Sequence, residues 1–307
     1  MTAQYHRPSR RHLLKGAASL ASLATLTACG IAESSTPSDP EPPLGGGDEL
    51  PPQEHAPAAP GGPVPVTGTI SSTQMGGPVR WAAVRPIGVS GTLPVVIVAH
   101  ALNTDESTIF GRGLNMQGVL QSYVESGGTP FALASANIGR NYYHRRADGT
   151  DGAAMVINEF LPMLAADDRL DVQVDRFGLF GWSMGGYGAL RIGALVGAPR
   201  VAAIAVSSPA MWADPVAFPP RAFDSYDDYA ANSLFGQQHL FTKIPVMISI
   251  GSADQFYTYT RQWASALRPP AAFGTSPGGH TSRYWRSVLP EQVEFLGRNL
   301  ALVNPSR

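Results

Sequence analysis

The sequence of 307 residues predicts an α/β fold, in which a doubly wound, mostly parallel sheet carries helices on both faces. Short apolar runs alternate with segments of helical periodicity, and the joints between them are short. Central runs such as residues 93–99 are continuously apolar, as is typical of parallel strands covered on both sides. Around Ser183 an apolar run passes through closely spaced glycines into a helical pattern, which indicates a sharp strand-to-helix turn.

The N-terminal segment differs from the rest and is expected to lie outside this fold. Arg10 and Arg11 precede a modest apolar run and then the tetrapeptide LTAC, which ends at Cys29. This pattern looks like a bacterial twin-arginine export signal that ends in a lipobox. The apolar run is shorter than the ~20 residues that a membrane-spanning helix needs, so we interpret residues 1–28 as a removable signal peptide.

Cys29 is the only cysteine of the chain and is the predicted site of lipid modification. A diacylated Cys29 would anchor the exported protein to the extracytoplasmic face of the cell membrane. The alternative is a chance cysteine at an ordinary signal cleavage site. Either interpretation excludes an intrachain disulfide, a cysteine nucleophile and a cysteine-based metal site in the body of the protein.

Residues 29–65 are rich in Pro, Gly, Ser and acidic side chains. Such a composition cannot bury a core, so it predicts a disordered tether. Residues 66–303 are then expected to form one folded domain. The formal net charge of the chain is −1, and no basic stripe occurs in this domain, so nucleic acid is not an expected partner.

Within residues 66–303 the elements are expected in a simple order. The order is a hairpin of residues 66–70 and 79–84, strand 93–99, helix 115–125, strand 131–135, helix 152–164, strand 175–180, a helix to residue 196, strands 201–206 and 244–250, helix 257–267 and a final helix from about Tyr284. Residues 207–240 are less regular and carry several prolines and aromatic side chains. They form either a small, partly packed cap over the carboxyl edge of the sheet or an ordinary surface excursion.

The candidate nucleophile is Ser183. It lies in the sequence GWSMG of residues 181–185, which has the G-x-S-x-G spacing of a nucleophile turn. Glycines on both sides allow the strained backbone that projects the hydroxyl from the sheet edge. The alternative is a glycine-rich turn with an uninvolved serine, and the flanking strand and helix patterns count against it.

A serine hydroxyl becomes a good nucleophile when an imidazole takes its proton and a carboxylate orients that imidazole. Asp254 directly follows the predicted strand 244–250, so its carboxylate is expected at the same sheet edge as Ser183. Its alternative role is to cap the next helix. Asp214 and Asp224 come earlier, in the irregular segment, and are weaker candidates for the acid.

His280 is the candidate base. In this type of fold the chain order is nucleophile, acid, histidine, with the histidine in a loop near the C-terminus. His280 lies in such a loop, before the final helix. His239 also follows the nucleophile, but it precedes Asp254 and therefore has the wrong order.

Two backbone amides are expected to bind the oxyanion that forms during acyl transfer. The amide of Met184, directly after the nucleophile, is one. The second should come from the loop after strand 93–99, where we choose Leu102. His100 lies in the same loop before the nucleophile, so we interpret it as a wall or loop-fixing residue.

Three segments give the chain a resemblance to a known family. They are GWSMGGYGAL at 181–190, SPAMW at 208–212, and PGGH at 277–280 with the following Tyr284 and Trp285. In combination they resemble the esterase D and antigen 85 branch of the α/β-hydrolases. The resemblance implies an α/β-hydrolase fold and the activity of a small-ester hydrolase or a mycolyltransferase.

Two departures from this family count against acyl transfer. Members that transfer mycolic acids use Glu as the acid where this chain offers Asp254, and the loop after strand 93–99 reads HALN instead of a glycine-rich sequence.

The predicted function is therefore that of a serine esterase, which cleaves a small-molecule, lipid or sugar ester through an acyl-enzyme. The alternatives are an acyltransferase that acts on sugar or lipid hydroxyls of the cell envelope, and a non-catalytic surface lipoprotein that binds a ligand. No cofactor and no metal are expected, because no histidine and carboxylate cluster has ligand spacing. The sequence does not indicate the acyl length, the alcohol or the oligomeric state.

Four aromatic residues are candidates for substrate binding. Trp182 adjoins the nucleophile and Trp212 lies in the irregular segment. Tyr142 and Tyr143 follow strand 131–135 and are expected at the catalytic edge, although they could equally belong to a solvated loop.

Overall fold

Eight strands form one sheet in the part of the chain that the computed structural model describes, which is residues 65–111 and 113–303. The strands are β1 (Val66–Ser72), β2 (Gly77–Val84), β3 (Leu93–Ala99), β4 (Ala132–Ala136), β5 (Val172–Trp182), β6 (Val201–Ser207), β7 (Val246–Gly251) and β8 (Ala272–Ser276). Their order across the sheet is β1-β2-β4-β3-β5-β6-β7-β8. The β1–β2 and β2–β4 pairs are antiparallel, and the pairs from β4 through β3 to β8 are parallel.

Helices cover both faces of this sheet. They are α1 (Met116–Glu125), α2 (Gly152–Met155), α3 (Leu161–Ala166), α4 (Met184–Val196), α5 (Tyr226–Asn232), α6 (Tyr257–Ser265) and α7 (Ser282–Val303), with a π-helical turn (Val156–Phe160) between α2 and α3. The predicted α/β fold with a mostly parallel sheet is confirmed.

The continuous apolar character of β3 follows from its position between two cores. Ile97 packs in one buried cluster, together with Leu190 of α4, while its neighbour Val96 packs in a second cluster, together with Leu120 of α1 and Leu296 of α7. Successive side chains of a strand point to opposite faces, so a strand covered on both faces has to be apolar at every position.

Strand β8 is the element that the sequence pattern does not reveal. Residues 271–273 read as a short apolar segment only, yet Ala272–Ser276 pairs in parallel with β7. It is the last strand of the sheet, and most of its residues are exposed. An exposed edge strand needs no apolar run, so the usual periodicity signal is absent.

The irregular segment 207–240 packs as a cap. It contains the short helix α5 and a 3₁₀ turn, Gln238–Phe241. Trp212, Phe223 and Tyr229 are buried, and the ring of Phe218 stacks on that of Tyr229 with a centroid distance of 5.1 Å. These aromatic contacts support the packed cap over the surface excursion.

The predicted signal peptide, Cys29 and the tether up to residue 64 lie outside the described residues. Within the described ranges, none of the helices combines the length and the apolar character needed to cross a membrane. The bounds of the signal and tether therefore stay predictions.

Candidate active site

The turn that carries Ser183 is the sharpest feature of the sheet. β5 ends at Trp182 and α4 begins at Met184, so Ser183 alone makes the turn, with φ 53° and ψ −123°. A positive φ is costly for a residue with a side chain and is found where surrounding structure enforces it. Here its amide donates to the Ser207 carbonyl at 3.1 Å, and its carbonyl accepts from the Ala210 amide at 2.9 Å.

The glycines around Ser183 are required by close backbone contacts. A Cβ at Gly181 would lie 2.1 Å from the Gly185 carbonyl oxygen, and one at Gly185 would lie 1.9 Å from the Ala99 carbonyl oxygen. Both distances are far inside van der Waals contact, so no larger residue fits without a backbone shift. The glycines of the G-x-S-x-G sequence thus allow the first turn of α4 to pack closely against the end of β3.

His280 bridges Ser183 and Asp254. Its Nε2 lies 2.8 Å from Ser183 Oγ, and its Nδ1 lies 3.0 Å from Asp254 Oδ2. The three residues come from separate elements: the β5–α4 turn, the loop after β7 and the loop between β8 and α7. The structure therefore brings together the three residues that the sequence predicts for nucleophile, acid and base.

The acid and base loops are also joined through their backbones. The amide of Ser252 donates to the Ser276 carbonyl at 3.0 Å, and the amide of Ala253 donates to the Gly278 carbonyl at 2.8 Å. A Cβ at Gly251 would lie 2.3 Å from that same Gly278 oxygen, so glycine is needed for this approach.

Two aromatic rings hold the imidazole of His280 in place. Phe256 and Trp285 contact it edge to face, with centroid distances of 5.2 and 5.0 Å. The ring is thereby fixed between its two hydrogen-bonding partners. Sequence order does not reveal this role of Phe256; its place two residues after the acid is the signal that could have indicated it.

The carboxylate of Asp254 is stabilised in its ionised form. Burial raises the pKa of Asp254, but the hydrogen bond and positive charge of His280, the Phe256 amide and the Ser208 hydroxyl together outweigh burial and leave this pKa below its usual value. Its Oδ1 accepts from the Phe256 amide at 2.9 Å, which stabilises the turn before α6. The carboxylate thus orients His280 and stabilises this turn, but it does not cap α6, whose N-cap residue is Phe256 and which has no side-chain cap hydrogen bond.

The predicted oxyanion donors, Met184 and Leu102, lie on α4 and in the turn after β3. Met184 is the first residue of α4, where an amide has no intrahelical acceptor and the helix dipole is positive. Leu102 lies in the turn after β3, and Gly185 of α4 packs directly on the Ala99 and His100 carbonyls that precede it. The two residues predicted to bind the oxyanion therefore belong to elements that are in contact.

His100 fixes the loops beside this site. Its Nε2 accepts from the Ile138 amide at 3.0 Å, and its Nδ1 donates to the Ala101 carbonyl at 2.9 Å. The phenol of Tyr143 donates to the His100 carbonyl at 3.3 Å. This pairing requires the neutral imidazole, since the Ile138 amide needs an unprotonated Nε2. The loop-fixing interpretation of His100 agrees with these contacts.

We expect the free energy of unfolding to fall as the pH decreases below about 6.5, in part because of His100. Burial lowers the pKa of His100 more than the Ala101 carbonyl, Asp105 and Glu106 raise it. The unfolded chain therefore binds a proton on His100 at a higher pH than the folded state does. The stabilisation is complete above the pKa of His100 in the unfolded chain and is lost as the pH falls below that value. Urea denaturation between pH 7.5 and 5 measures the slope.

The variant His100→Gln should show a smaller decrease in unfolding free energy over this pH range than the wild type. His239→Gln, at an exposed histidine, is the matched control and should retain the wild-type slope. An unchanged slope in His100→Gln would contradict the assignment.

All four candidate substrate-binding aromatics are buried, with Tyr142 3% exposed and Trp212 the most exposed at 8%. Trp182 is 0% exposed and packs in the core beneath α1 and α7, and Tyr143 is 1% exposed. Trp182, Tyr143 and Tyr142 are therefore structural, because they present almost no surface to a substrate. Tyr142 and Trp212 contact each other, with a ring-centroid distance of 6.2 Å, and Trp212 also contacts Phe256 at 5.2 Å.

The loop that follows Tyr143 is bound to the cap and is not freely solvated. Arg146 makes two hydrogen bonds to the carboxylate of Asp224, at 2.5 and 3.0 Å, and His144 Nε2 lies 2.8 Å from the Ala222 carbonyl oxygen. Asp224, a weaker candidate for the acid, is thus engaged by Arg146 instead of His280.

A serine at a strained strand-to-helix turn, facing a histidine that a carboxylate orients, on a mostly parallel sheet, defines an α/β-hydrolase of the serine type. The model of the esterase family, described as "Putative esterase", matches residues 72–296. The chain belongs to this family, and its general class is that of a carboxylic-ester hydrolase.

Three solved structures illustrate the similarity of the fold at low sequence identity. A ferulic acid esterase is 20% identical with a TM-score of 0.63, covering 78% of this chain and 99% of its own. An S-formylglutathione hydrolase from Agrobacterium tumefaciens is 12% identical with a TM-score of 0.63, covering 80% and 98%. MPT51 (FbpC1) from Mycobacterium tuberculosis is 14% identical with a TM-score of 0.60, covering 79% and 100%. No curated protein matches in sequence.

Over residues 65–111 and 113–303, no group of three or more His, Cys, Asp or Glu side chains is arranged to hold a metal ion.

Proposed function

We propose that the protein hydrolyses carboxylic esters through a covalent acyl-enzyme on Ser183. The observation that supports this most is the continuous hydrogen-bonded path from Ser183 Oγ through His280 to Asp254, with distances of 2.8 and 3.0 Å. Both lie within the range in which a base can take a proton directly.

The first half-reaction forms the acyl-enzyme. Ser183 Oγ attacks the ester carbonyl carbon while its proton passes to His280 Nε2, giving a tetrahedral oxyanion and an imidazolium. Asp254 stabilises that imidazolium through Nδ1. The bond from carbon to the alcohol oxygen then breaks, and the proton on Nε2 passes to the departing alkoxide.

The second half-reaction releases the acid. Water attacks the acyl carbon as His280 takes one of its protons, and collapse of the second oxyanion returns that proton to Ser183. In both half-reactions the amides of Leu102 and Met184 donate to the oxyanion. A donor of this kind contributes about 3 kcal/mol to transition-state stabilisation.

The substrate binds, in this proposal, on the cap side of Ser183. Trp212 is the aromatic candidate there, since it is the most exposed of the four at 8% and adjoins the Phe256 that packs on His280. We propose a small-molecule, lipid or sugar ester as the substrate. A sugar or lipid hydroxyl in place of water in the second half-reaction would make the same site an acyltransferase.

Labelling with a fluorophosphonate tests the proposal. The probe bonds covalently to an activated serine oxygen with loss of fluoride, so the wild type should label and Ser183→Ala should not. Ser135→Ala, at a serine buried in β4, is the control and should label like the wild type. An unlabelled wild type would support the non-catalytic binding lipoprotein instead.

A panel of p-nitrophenyl esters of graded chain length then identifies the acyl preference. The same assay with added sugar acceptors distinguishes hydrolysis from acyl transfer, because transfer yields a sugar ester at the expense of the free acid.

We also propose that the protein is exported and anchored through a lipid on Cys29, as the lipobox pattern suggests. Cys29→Ala should move the protein from the membrane fraction to the soluble fraction of the producing cell. Globomycin, which blocks cleavage of lipoprotein signals, should increase the apparent mass of the wild type only. Unchanged partitioning in Cys29→Ala would argue against the anchor.

A further inference from the structure

Ser208 occupies a central place between the proposed nucleophile and acid. β6 lies between β5 and β7, with Ser207 opposite Trp182 on one side and Ser249 on the other. Ser208 is the next residue after β6, so it lies between the turn that carries Ser183 and the turn that carries Asp254.

The conformation of Ser208 is costly for a serine. Its φ is 47°, in the left-handed region that favours glycine, and its amide is held by the Ser249 carbonyl at 2.9 Å. The residue is 0% exposed, and its hydroxyl has no partner of normal hydrogen-bond geometry in the described part of the chain. Glycine would satisfy the same backbone with neither penalty, so the hydroxyl itself requires an explanation.

The nearby group with free acceptor capacity is the carboxylate of Asp254. This side chain is fully buried, and its two oxygens accept from His280 Nδ1 and the Phe256 amide. A carboxylate offers about four acceptor positions, so others remain. Against the effect of burial, the hydrogen bond and charge of His280, the Phe256 amide and the Ser208 hydroxyl lower the pKa of Asp254, while burial and the Asp254 charge raise the pKa of Tyr284 on α7.

We propose that Ser208 is a positioning residue whose hydroxyl donates to the Asp254 carboxylate as His280 becomes charged. The Ser208 hydroxyl is buried without a hydrogen-bond partner among the described residues, and the residue lies between the turns that carry Ser183 and Asp254, so a bond to the carboxylate would satisfy it. The bond would hold the carboxylate in line with Nδ1 at the moment when the imidazolium needs its charge. This inference rests on the proposed ester hydrolysis.

Ser208→Gly and Ser208→Ala test the proposal together. Both remove the hydroxyl, while glycine also accepts the positive φ without strain. We expect kcat for p-nitrophenyl acetate at neutral pH to fall by about tenfold in both, with KM little changed, as for loss of one hydrogen bond to a charged group. Ser135→Ala is the control, since Ser135 is a fully buried serine whose hydroxyl also lacks a partner, on β4 away from the site.

The pH dependence separates positioning from a structural role. Without the hydroxyl, the ionised carboxylate of Asp254 is less stabilised, so its proton is bound at higher pH. The acid limb of kcat/KM should therefore become steeper, with a second ionisation moved upward by about one pH unit in both Ser208 variants. Ser135→Ala should keep the wild-type profile.

Wild-type activity with an unchanged acid limb in Ser208→Gly would overturn the role of Ser208. The same holds if Ser208→Gly is fully active while Ser208→Ala is merely less stable, because strain would then be the whole effect. A wild type without esterase activity would speak against the proposed function instead, so the two failures are distinguishable.

Discussion

Replacing Ser183 with alanine is expected to lower kcat for p-nitrophenyl acetate by about a million-fold, as when the nucleophile of a serine hydrolase is removed. The alanine has no oxygen to attack the carbonyl, and His280 Nε2 loses the hydroxyl that lies 2.8 Å away. The backbone of the turn should persist, because it is held by the Ser207 and Ala210 hydrogen bonds and not by the hydroxyl. Initial rates with purified protein measure the loss.

The control for this experiment is a double variant, which shows whether the effects of the Ser183 and His280 substitutions add. Residues that act as one unit lose their effect together, so Ser183→Ala/His280→Ala should be no slower than Ser183→Ala. A further large loss in the double variant would mean that His280 serves a reaction that does not pass through Ser183. Unfolding temperatures of both variants should stay near the wild-type value.

Replacing Asp254 with asparagine is expected to lower kcat by about 10⁴-fold at neutral pH. The amide is nearly isosteric, and its oxygen can keep the bond from the Phe256 amide. Its NH₂ group would then face His280 Nδ1 as a donor, which favours the tautomer with the proton on Nε2. That nitrogen could no longer accept the proton of Ser183. The lost charge also leaves the imidazolium unstabilised.

Asp224→Asn is the matched control for this prediction. Asp224 is also a carboxylate that is paired with a cation, but it holds Arg146 between the cap and the loop after Tyr143. Its replacement should alter kcat only a few-fold. Equal losses in the two variants would show that the assay detects a general loss of charge pairing and not the orientation of His280.

The central strands of the fold could be predicted because burial on both faces leaves a continuous apolar run. Residues 93–99 and 201–206 are such runs, and the observed strands are Leu93–Ala99 and Val201–Ser207. β8 could not be predicted in this way, since its pairing with β7 depends on neighbours distant in sequence and its side chains are mostly exposed. Periodicity reports burial, and an exposed edge strand has little of it.

The candidate site shows the same difference between features that are local to the sequence and features that depend on distant contacts. Ser183, Asp254 and His280 follow from chain order and from their places after strands and before a helix, and these features are local to the sequence. The burial of Trp182 and Tyr143, the contacts of Phe256 and Trp285 with His280, and the position of Ser208 depend on which strands are neighbours. Sequence order alone does not supply that information.

The positions of Ser183, Asp254 and His280 along the sheet affect how well the activity should survive partial unfolding. The proposed nucleophile, Ser183, follows β5 in the middle of the sheet. The proposed base, His280, lies in the loop after β8, which is an outermost strand with mostly exposed side chains. Weakly packed edge strands unfold locally before the interior of the domain unfolds. Warming or mild denaturant should thus inactivate the enzyme while most of the sheet is still folded. Substitutions that stabilise β8 and the loop after it would lengthen the active lifetime without changing the proposed catalytic residues.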